Sequence, residues 1–279
     1  MANRILTLLK SYRNPLEWFA NVTWRFPRTS SNLDVIFVVG APRSGTTLLQ
    51  NILRAHNELF SIEGETGIFT FQNIFDKHRA HFGLDKVAIN KLFSSSKDII
   101  DFFEKAVLEI SSKNSGKRFV EKTPQHILRL RFILKHFPKA RIVHIVRDGR
   151  DCFVSAAKHT GIPSGRSVAR YASYWNRCVK MTMDNHYQRV AIVRYEDLVR
   201  VPRKELEKIM VFLGLQVQDQ QLDPRIFGSD QRSQSKNFSK LASPIDDASV
   251  GKWEIVLTEE EKSIFASKAY DALRYYGYE

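Results

Sequence analysis

Cysteine is nearly missing from this 279-residue chain, with Cys152 and Cys178 the only two. Two cysteines cannot build a disulfide framework, and both fall in helical patterns where a small apolar side chain packs, which fits a reducing compartment. Long apolar runs are missing as well. No stretch of about 18 apolar residues occurs, so no membrane-spanning helix is predicted, and Ile5 to Leu9 is too short for the apolar region of a signal peptide. The expectation is a cytoplasmic protein. Acidic residues are scarce: 30 Asp and Glu face 43 Lys and Arg, for a formal net charge of +13. Such a balance selects an anionic partner. Nucleic acid finds no support, because zinc-ligand spacing, an aromatic RNA-binding string and a basic low-complexity tail are all lacking. A multiply charged nucleotide is the simpler partner.

The most informative stretch present is Val35 to Leu49, VIFVVGAPRSGTTLL. Its apolar run suits a strand buried on both faces of a parallel sheet. The turn and helix start that follow would set bare backbone N–H groups around an anion. Gly40 and Gly45 are spaced as in the nucleotide P-loop, and Thr47 takes its hydroxyl position. The P-loop lysine is lacking: Thr46 stands there, and the positive charge comes earlier, as Arg43. Arg43, Ser44, Gly45, Thr46 and Thr47 therefore read as a cradle for a ligand without a β,γ-diphosphate. A second strand, Arg141 to Val146, runs into Arg147-Asp148-Gly149-Arg150-Asp151 and a helical pattern over Cys152 to Lys158. An arginine fork at that strand end and the Ser155 hydroxyl two helical turns on can grip one phosphate from two sides.

With these strings, and with Glu121-Lys122-Thr123-Pro124, Trp175, Arg194-Tyr195-Glu196-Asp197-Leu198 and Gly251-Lys252-Trp253, the chain resembles the sulfotransferases that use 3′-phosphoadenosine 5′-phosphosulfate (PAPS). The resemblance covers roughly residues 35 to 255 and looks closest to the tyrosylprotein and carbohydrate branch. It implies that the P-R-S-G-T-T string binds the 5′-phosphosulfate, that Arg147 and Ser155 bind the 3′-phosphate, and that Tyr195 packs on adenine. Lys252 is the corresponding candidate near the C-terminus, although the R-K-G triplet of the cytosolic branch is missing before it. Lys122 matches a lysine that contacts the transferring group. Glu65, in E-G-E-T, matches the catalytic glutamate, with Glu63 and His126 as the other candidate bases. The implied reaction moves a sulfuryl group from PAPS to a hydroxyl of a carbohydrate, lipid or small metabolite, with no metal expected. A P-loop-type nucleotide kinase, or an inactive nucleotide-binding module, is the alternative; a kinase would need a metal-holding carboxylate, and Asp148 is its one candidate.

Strands alternating with helices predict an α/β fold of three layers, a central parallel sheet with helices on both faces and a P-loop-like phosphate-binding turn. Helices are expected at Thr46 to Arg54, Phe69 to Phe82, Lys86 to Phe93, Ile99 to Ser112, Thr123-Pro124 to His136, Val168 to His186 and Thr258 to Tyr275. Strands are expected at Arg118 to Glu121 and Val190 to Arg194 besides the two above, with Ser61 to Thr66 a short extended piece. Ligands in such sheets bind beyond the carboxyl ends of the strands, where Arg43, Lys122, Arg147 and Tyr195 would lie. Residues 34–279 read as one domain, with a polar, lid-like loop near 216–250. Residues 1–33 form a basic, aromatic, amphipathic extension. It either docks on its own domain or contacts an anionic membrane surface peripherally through residues 1–28.

Overall fold

Five short runs rich in β-branched and aliphatic residues form one parallel sheet in the computed structural model, which describes Trp24 and residues 26–70, 82–159, 161–223 and 245–279. In chain order come β1 (Ile36–Gly40), α1 (Thr46–Arg54), β2 (Leu59–Phe60), α2 (Lys86–Ser95), α3 (Ile99–Ser112) and β3 (Arg118–Lys122). A 3-10 turn (Pro124–Arg129), α4 (Leu130–His136), β4 (Arg141–Val146), α5 (Gly149–Ala157), a second 3-10 turn (Pro163–Arg166) and α6 (Val168–Met183) follow. The chain then runs through β5 (Val190–Arg194), α7 (Tyr195–Arg200), α8 (Pro202–Leu213), a third 3-10 turn (Asp219–Leu222), α9 (Trp253–Val256) and α10 (Glu259–Tyr275). The strand order is β2-β3-β1-β4-β5, with every pair parallel.

Because side chains alternate along a strand, β1 feeds two cores. Phe37 and Val39 pack with Phe103, Phe119, Phe137, Trp175 and Phe265 on one face. Ile36 and Val38 meet Leu49, Ile52, Leu198, Leu206 and Met210 on the other. The sheet is thus covered on both sides, which explains the unbroken apolar reading of β1. Both cysteines are free and buried, and burial pushes the Cys178 thiol up to about 12, as expected for packed rather than reactive groups.

Several local expectations shift. The expected helix from Thr123-Pro124 splits, because its first turns close as a 3-10 turn before α4 begins at Leu130. Proline at its start suits either form. Helix α6 ends at Met183 rather than His186, and the extended piece lies earlier, at Leu59–Phe60, leaving Ser61 to Thr66 without regular structure. Residues 216–223 are not part of a free loop. Gln221 Nε2 donates to Ile52 O, Gln220 Nε2 to Ala55 O, and His56 Nε2 meets Gln216 O, so this polar segment covers the C-terminal end of α1. Of the rest of the expected lid, residues 224–244 lie outside the described residues, as does most of the helix expected at Phe69 to Phe82.

Of the extension 1–33, the described part docks on the domain. Trp24 is buried against Phe93 and Phe102. Asp98 receives the Thr29 hydroxyl and the backbone N–H groups of Arg28 and Thr29 while also capping α3. Residues 1–23, where most of the proposed membrane contact would fall, lie outside the described residues. Among the described residues no helix is long and apolar enough to cross a membrane.

Candidate active site

The turn between β1 and α1 is built from two left-handed residues. Arg43 has φ 71°, an uncommon value for a side-chain-bearing residue, and Gly45 has φ 100°. Gly40 and Gly45 are needed for space as well: a Cβ on Gly40 would lie 2.5 Å from Ile145 O, and one on Gly45 would lie 2.5 Å from Cδ2 of Tyr195. Gly45 itself is the N-cap of α1, and no side chain caps the helix. No acidic residue occupies the first turn, so its N–H groups and the positive end of the helix dipole are left for an anion. The Ser44 hydroxyl is fully buried in this turn without a hydrogen-bond partner. An orphaned hydroxyl in a glycine-bounded turn fits a phosphate-type ligand.

Arg147, at the end of β4, closes the cradle from the neighbouring strand. Its Nη1 donates to Arg43 O at 3.3 Å, its Nη2 donates to Ser249 O, and its guanidinium lies 4.4 Å from the centre of the Tyr195 ring. Its Nε is buried and unpartnered. Burial opposes the charge, but Cys152, Tyr195, Asp151 and Glu196 outweigh it and raise its pKa above the ordinary arginine value. Ser155, on α5, accepts from Arg43 Nε at 3.0 Å. The structure therefore brings Arg43, Ser155 and Arg147 together across two strand ends. Tyr195, expected beside adenine, is buried against Gly45 and under Arg147.

On the other side of β1, Lys122 at the end of β3 pairs with Glu65: Nζ donates to Oε1 at 2.9 Å. The Lys122 side chain is 1% exposed and Glu65 36%, so the cation sits deep and the carboxylate faces outward. Glu63 is exposed two residues away. His126 is not a candidate base. Its ring is fully buried, Nδ1 is bonded to Glu121 Oε2 at 2.8 Å, and Nε2 receives Phe69 N at 3.3 Å, so neither nitrogen can reach a substrate proton.

Other residues support these groups. Tyr171 and Trp175, one turn apart on α6, donate to the carbonyls of Pro42 and Arg147 respectively, fixing both strand-end turns from below. Their spacing of four on an amphipathic helix was the available signal. Asp151 holds the C-terminal G-K-W string, accepting from Gly251 N at 2.8 Å and Trp253 N at 3.0 Å. Trp253 in turn lies under Arg150, 3.5 Å from guanidinium carbon to ring centre. Lys252, the N-cap of α9, is exposed beside this tether. Asp148 caps α5 through Arg150 N and forms a two-point ion pair with the Arg150 guanidinium. That engagement leaves the carboxylate a kinase would use already spent. Glu196 is buried between Asp148 N and the Tyr278 hydroxyl, away from the cradle.

A cleft of about 650 Å³ is lined by Ser164, Arg170, Ser173, Tyr174, Arg177 and Lys268, among others. Burial raises the Tyr174 hydroxyl above its ordinary pKa, with Cys178 adding to the shift and Arg177 opposing it.

A profile described as "Sulfotransferase family" matches residues 34–219. Protein-tyrosine sulfotransferase 1 of Danio rerio is 24% identical over 238 residues, which make up 80% of this chain and 66% of that protein. The chain thus spans just under two thirds of that relative. Among solved structures, the sulfotransferase domain of the Synechococcus PCC 7002 olefin synthase matches with a TM-score of 0.62 at 25% identity, covering 89% of this chain and 99% of the domain. Mouse sulfotransferase SULT7A1, crystallised with PAP, matches with a TM-score of 0.54 at 19% identity over 92% of this chain and 91% of its own.

Proposed function

The chain belongs to the sulfotransferase family, and from that premise we propose that it transfers a sulfuryl group from PAPS to the hydroxyl of an acceptor by in-line displacement. The observation that carries the reading is the Glu65–Lys122 pair standing beside an anion cradle closed by Arg43, Ser155 and Arg147. PAPS supplies the sulfuryl group and departs as adenosine 3′,5′-bisphosphate, the PAP seen with the mouse neighbour.

Each residue has a task that follows from its charge and position. The N–H groups of Gly45, Thr46 and Thr47 and the hydroxyls of Ser44 and Thr47 receive the 5′-phosphate end, stabilising the charge that builds on the leaving group. Arg147 and Ser155 receive the 3′-phosphate, with Lys252 near the closing string. Tyr195 backs Gly45 and Arg147, keeping the nucleotide side rigid. A sulfuryl group carries less negative charge than a phosphoryl group, so side-chain cations can serve where a kinase needs magnesium. Lys122 and Arg43 are those cations. Glu65 removes the acceptor proton as its oxygen attacks sulfur. The basic cleft along α6 is the acceptor entrance in this proposal. A hydroxyl of a carbohydrate, lipid or small metabolite is the acceptor class we propose. The tyrosine hydroxyl that the fish relative's name implies is the second reading, favoured by that relative's match over most of this chain.

The test is direct. Purified protein is incubated with PAPS and a panel of saccharides, hydroxylated lipids, small alcohols and tyrosine-containing peptides, and products are read by mass spectrometry. A sulfated product with stoichiometric adenosine 3′,5′-bisphosphate supports the reading. Phosphate transfer from magnesium-ATP to the same panel, without sulfation, would replace it with the kinase.

A further inference from the structure

Alternation along β3 sends Glu121 and Lys122 to opposite faces of the sheet, and only Lys122 turns toward the chemistry. Glu121 is nevertheless fully buried, a costly position for a carboxylate unless every lone pair is used. It is well satisfied. Thr66 Oγ1 and Thr123 Oγ1 each donate to Oε1 at 2.7 Å, and His126 Nδ1 donates to Oε2 at 2.8 Å. The partners then reach one step further. Thr123 Oγ1 accepts Gly67 N at 2.9 Å, and His126 Nε2 accepts Phe69 N at 3.3 Å. With a backbone N–H aimed at Nε2, Nδ1 carries the proton donated to Glu121.

Three of these five bonds, Thr66 to Glu121, Gly67 to Thr123 and Phe69 to His126, link residues 66–69, directly after Glu65, to residues 121–126 around Lys122, and the other two tie residues 121–126 to one another. The loop needs such a link. Ser61 to Thr66 has no regular structure, and Glu65 and Thr66 lie between two left-handed glycines, Gly64 at φ 115° and Gly67 at φ 59°. Glycines there leave the loop many alternative conformations. We propose that the buried Glu121–His126 pair, through Thr66 and Thr123, is a positioning element that fixes the Glu65 loop against the strand end carrying Lys122, and so sets where the base meets the acceptor. The proposal rests on Glu65 being the base. Desolvation favours protonating Glu121, but His126 and the two hydroxyls outweigh it and hold the carboxyl below its ordinary range, which keeps it an acceptor at working pH.

Thr66→Val tests this with little change in volume, because it removes one donor and leaves a buried side chain in place. Two readouts are taken on the full chain: hydrogen exchange in the peptide covering residues 62–70, and kcat with PAPS and the acceptor identified by the panel above. Exchange should speed up, and kcat should fall roughly ten- to hundredfold, the range of a small misplacement of a reacting group. Acceptor KM and the affinity for adenosine 3′,5′-bisphosphate should stay within about twofold, since neither ligand needs the hydroxyl. Thr66→Ser, which restores the donor, should recover kcat. Thr123→Val should repeat the loss. Unchanged exchange and turnover in Thr66→Val, alongside loss of turnover in Glu65→Gln, would overturn the positioning role and leave the base intact. Loss of bisphosphate affinity together with kcat would overturn it in favour of general structural damage, and full turnover in Glu65→Gln would remove the base and the positioning role together.

Discussion

Truncating Arg147 to alanine should change what the nucleotide site recognises more than how tightly it binds in general. The guanidinium is buried, with 7% of the residue exposed, and its protein partners are carbonyl oxygens of Arg43 and Ser249 with Asp151 at 3.8 Å. One donor, Nε, is left over. A phosphate reaching this corner would exchange weak carbonyl acceptors for a charged one. A charged hydrogen bond is worth about 1.5–3 kcal/mol, so its loss should weaken a 3′-phosphorylated ligand roughly ten- to 150-fold. A ligand lacking that phosphate should hardly notice. The assay is calorimetric titration of adenosine 3′,5′-bisphosphate and adenosine 5′-monophosphate into both proteins. Wild type should prefer the bisphosphate strongly, and Arg147→Ala should lose that preference while binding the monophosphate as before. Stranding the two carbonyls should also cost the fold about 1–2 kcal/mol, which chemical denaturation would read separately. Equal weakening of both ligands would refute the reasoning and make Arg147 a structural tie between β1 and β4.

Adenosine 3′,5′-bisphosphate at about a hundred times its Kd should stabilise the protein by roughly 2.7 kcal/mol without magnesium; an equal thermal shift with ATP, or one that requires magnesium, would contradict the site. Asp151→Leu should release the Gly251-Lys252-Trp253 string from α5, raising exchange at the Gly251 and Trp253 amides and weakening bisphosphate binding; unchanged affinity would mean the string does not cover the nucleotide. His144 is buried, with Nδ1 bonded to Thr182 Oγ1, and burial lowers its pKa from near 6.5 to about 3. The unfolded chain therefore binds more protons between those values, and stability is lost as pH falls through that window at about 1.4 kcal/mol per unit from this group. The stability gap between wild type and His144→Gln should accordingly narrow by about that much per unit below pH 6; parallel curves would show that His144 is not the group responsible.

The main architecture was legible because strong local signals agreed with the long-range packing. The apolar run of β1, the glycines at 40 and 45 and the strand ending at Arg147 are short-range features, and each sits where its chemistry predicts. Glu65 and Lys122 are 57 residues apart, and the resemblance singles out each of them separately; the fold brings them to 2.9 Å. Less legible were features that depend on what lies opposite. Nothing local marks Glu121 as buried, since an E-K-T-P string at a strand end reads equally well as exposed. Only the parallel pairing of β3 with β1, which sets Phe37 beside Glu121, forces it inside. His126 looked available for the same reason, and the rings of Phe37 and Phe69 enclose it. Helices α7 and α8 are hard to read from the sequence, because α7 is only six residues long and Pro202 interrupts the pattern where α8 begins. The polar residues 216–223 read as loop, although their side chains serve the open carbonyls of α1.

Single-turnover transfer by Glu65→Gln tests the central claim most directly. Protein in excess over PAPS, mixed with the acceptor from the panel, isolates the chemical step from product release. Glutamine keeps the size and the hydrogen-bonding reach toward Lys122 but removes the basic oxygen. Transfer should slow by roughly 10² to 10⁴, while the affinity for adenosine 3′,5′-bisphosphate stays within about twofold of wild type, because the cradle, Arg147 and Ser155 are untouched. A variant that transfers at close to the wild-type rate would contradict the account and return the role of base to Glu63.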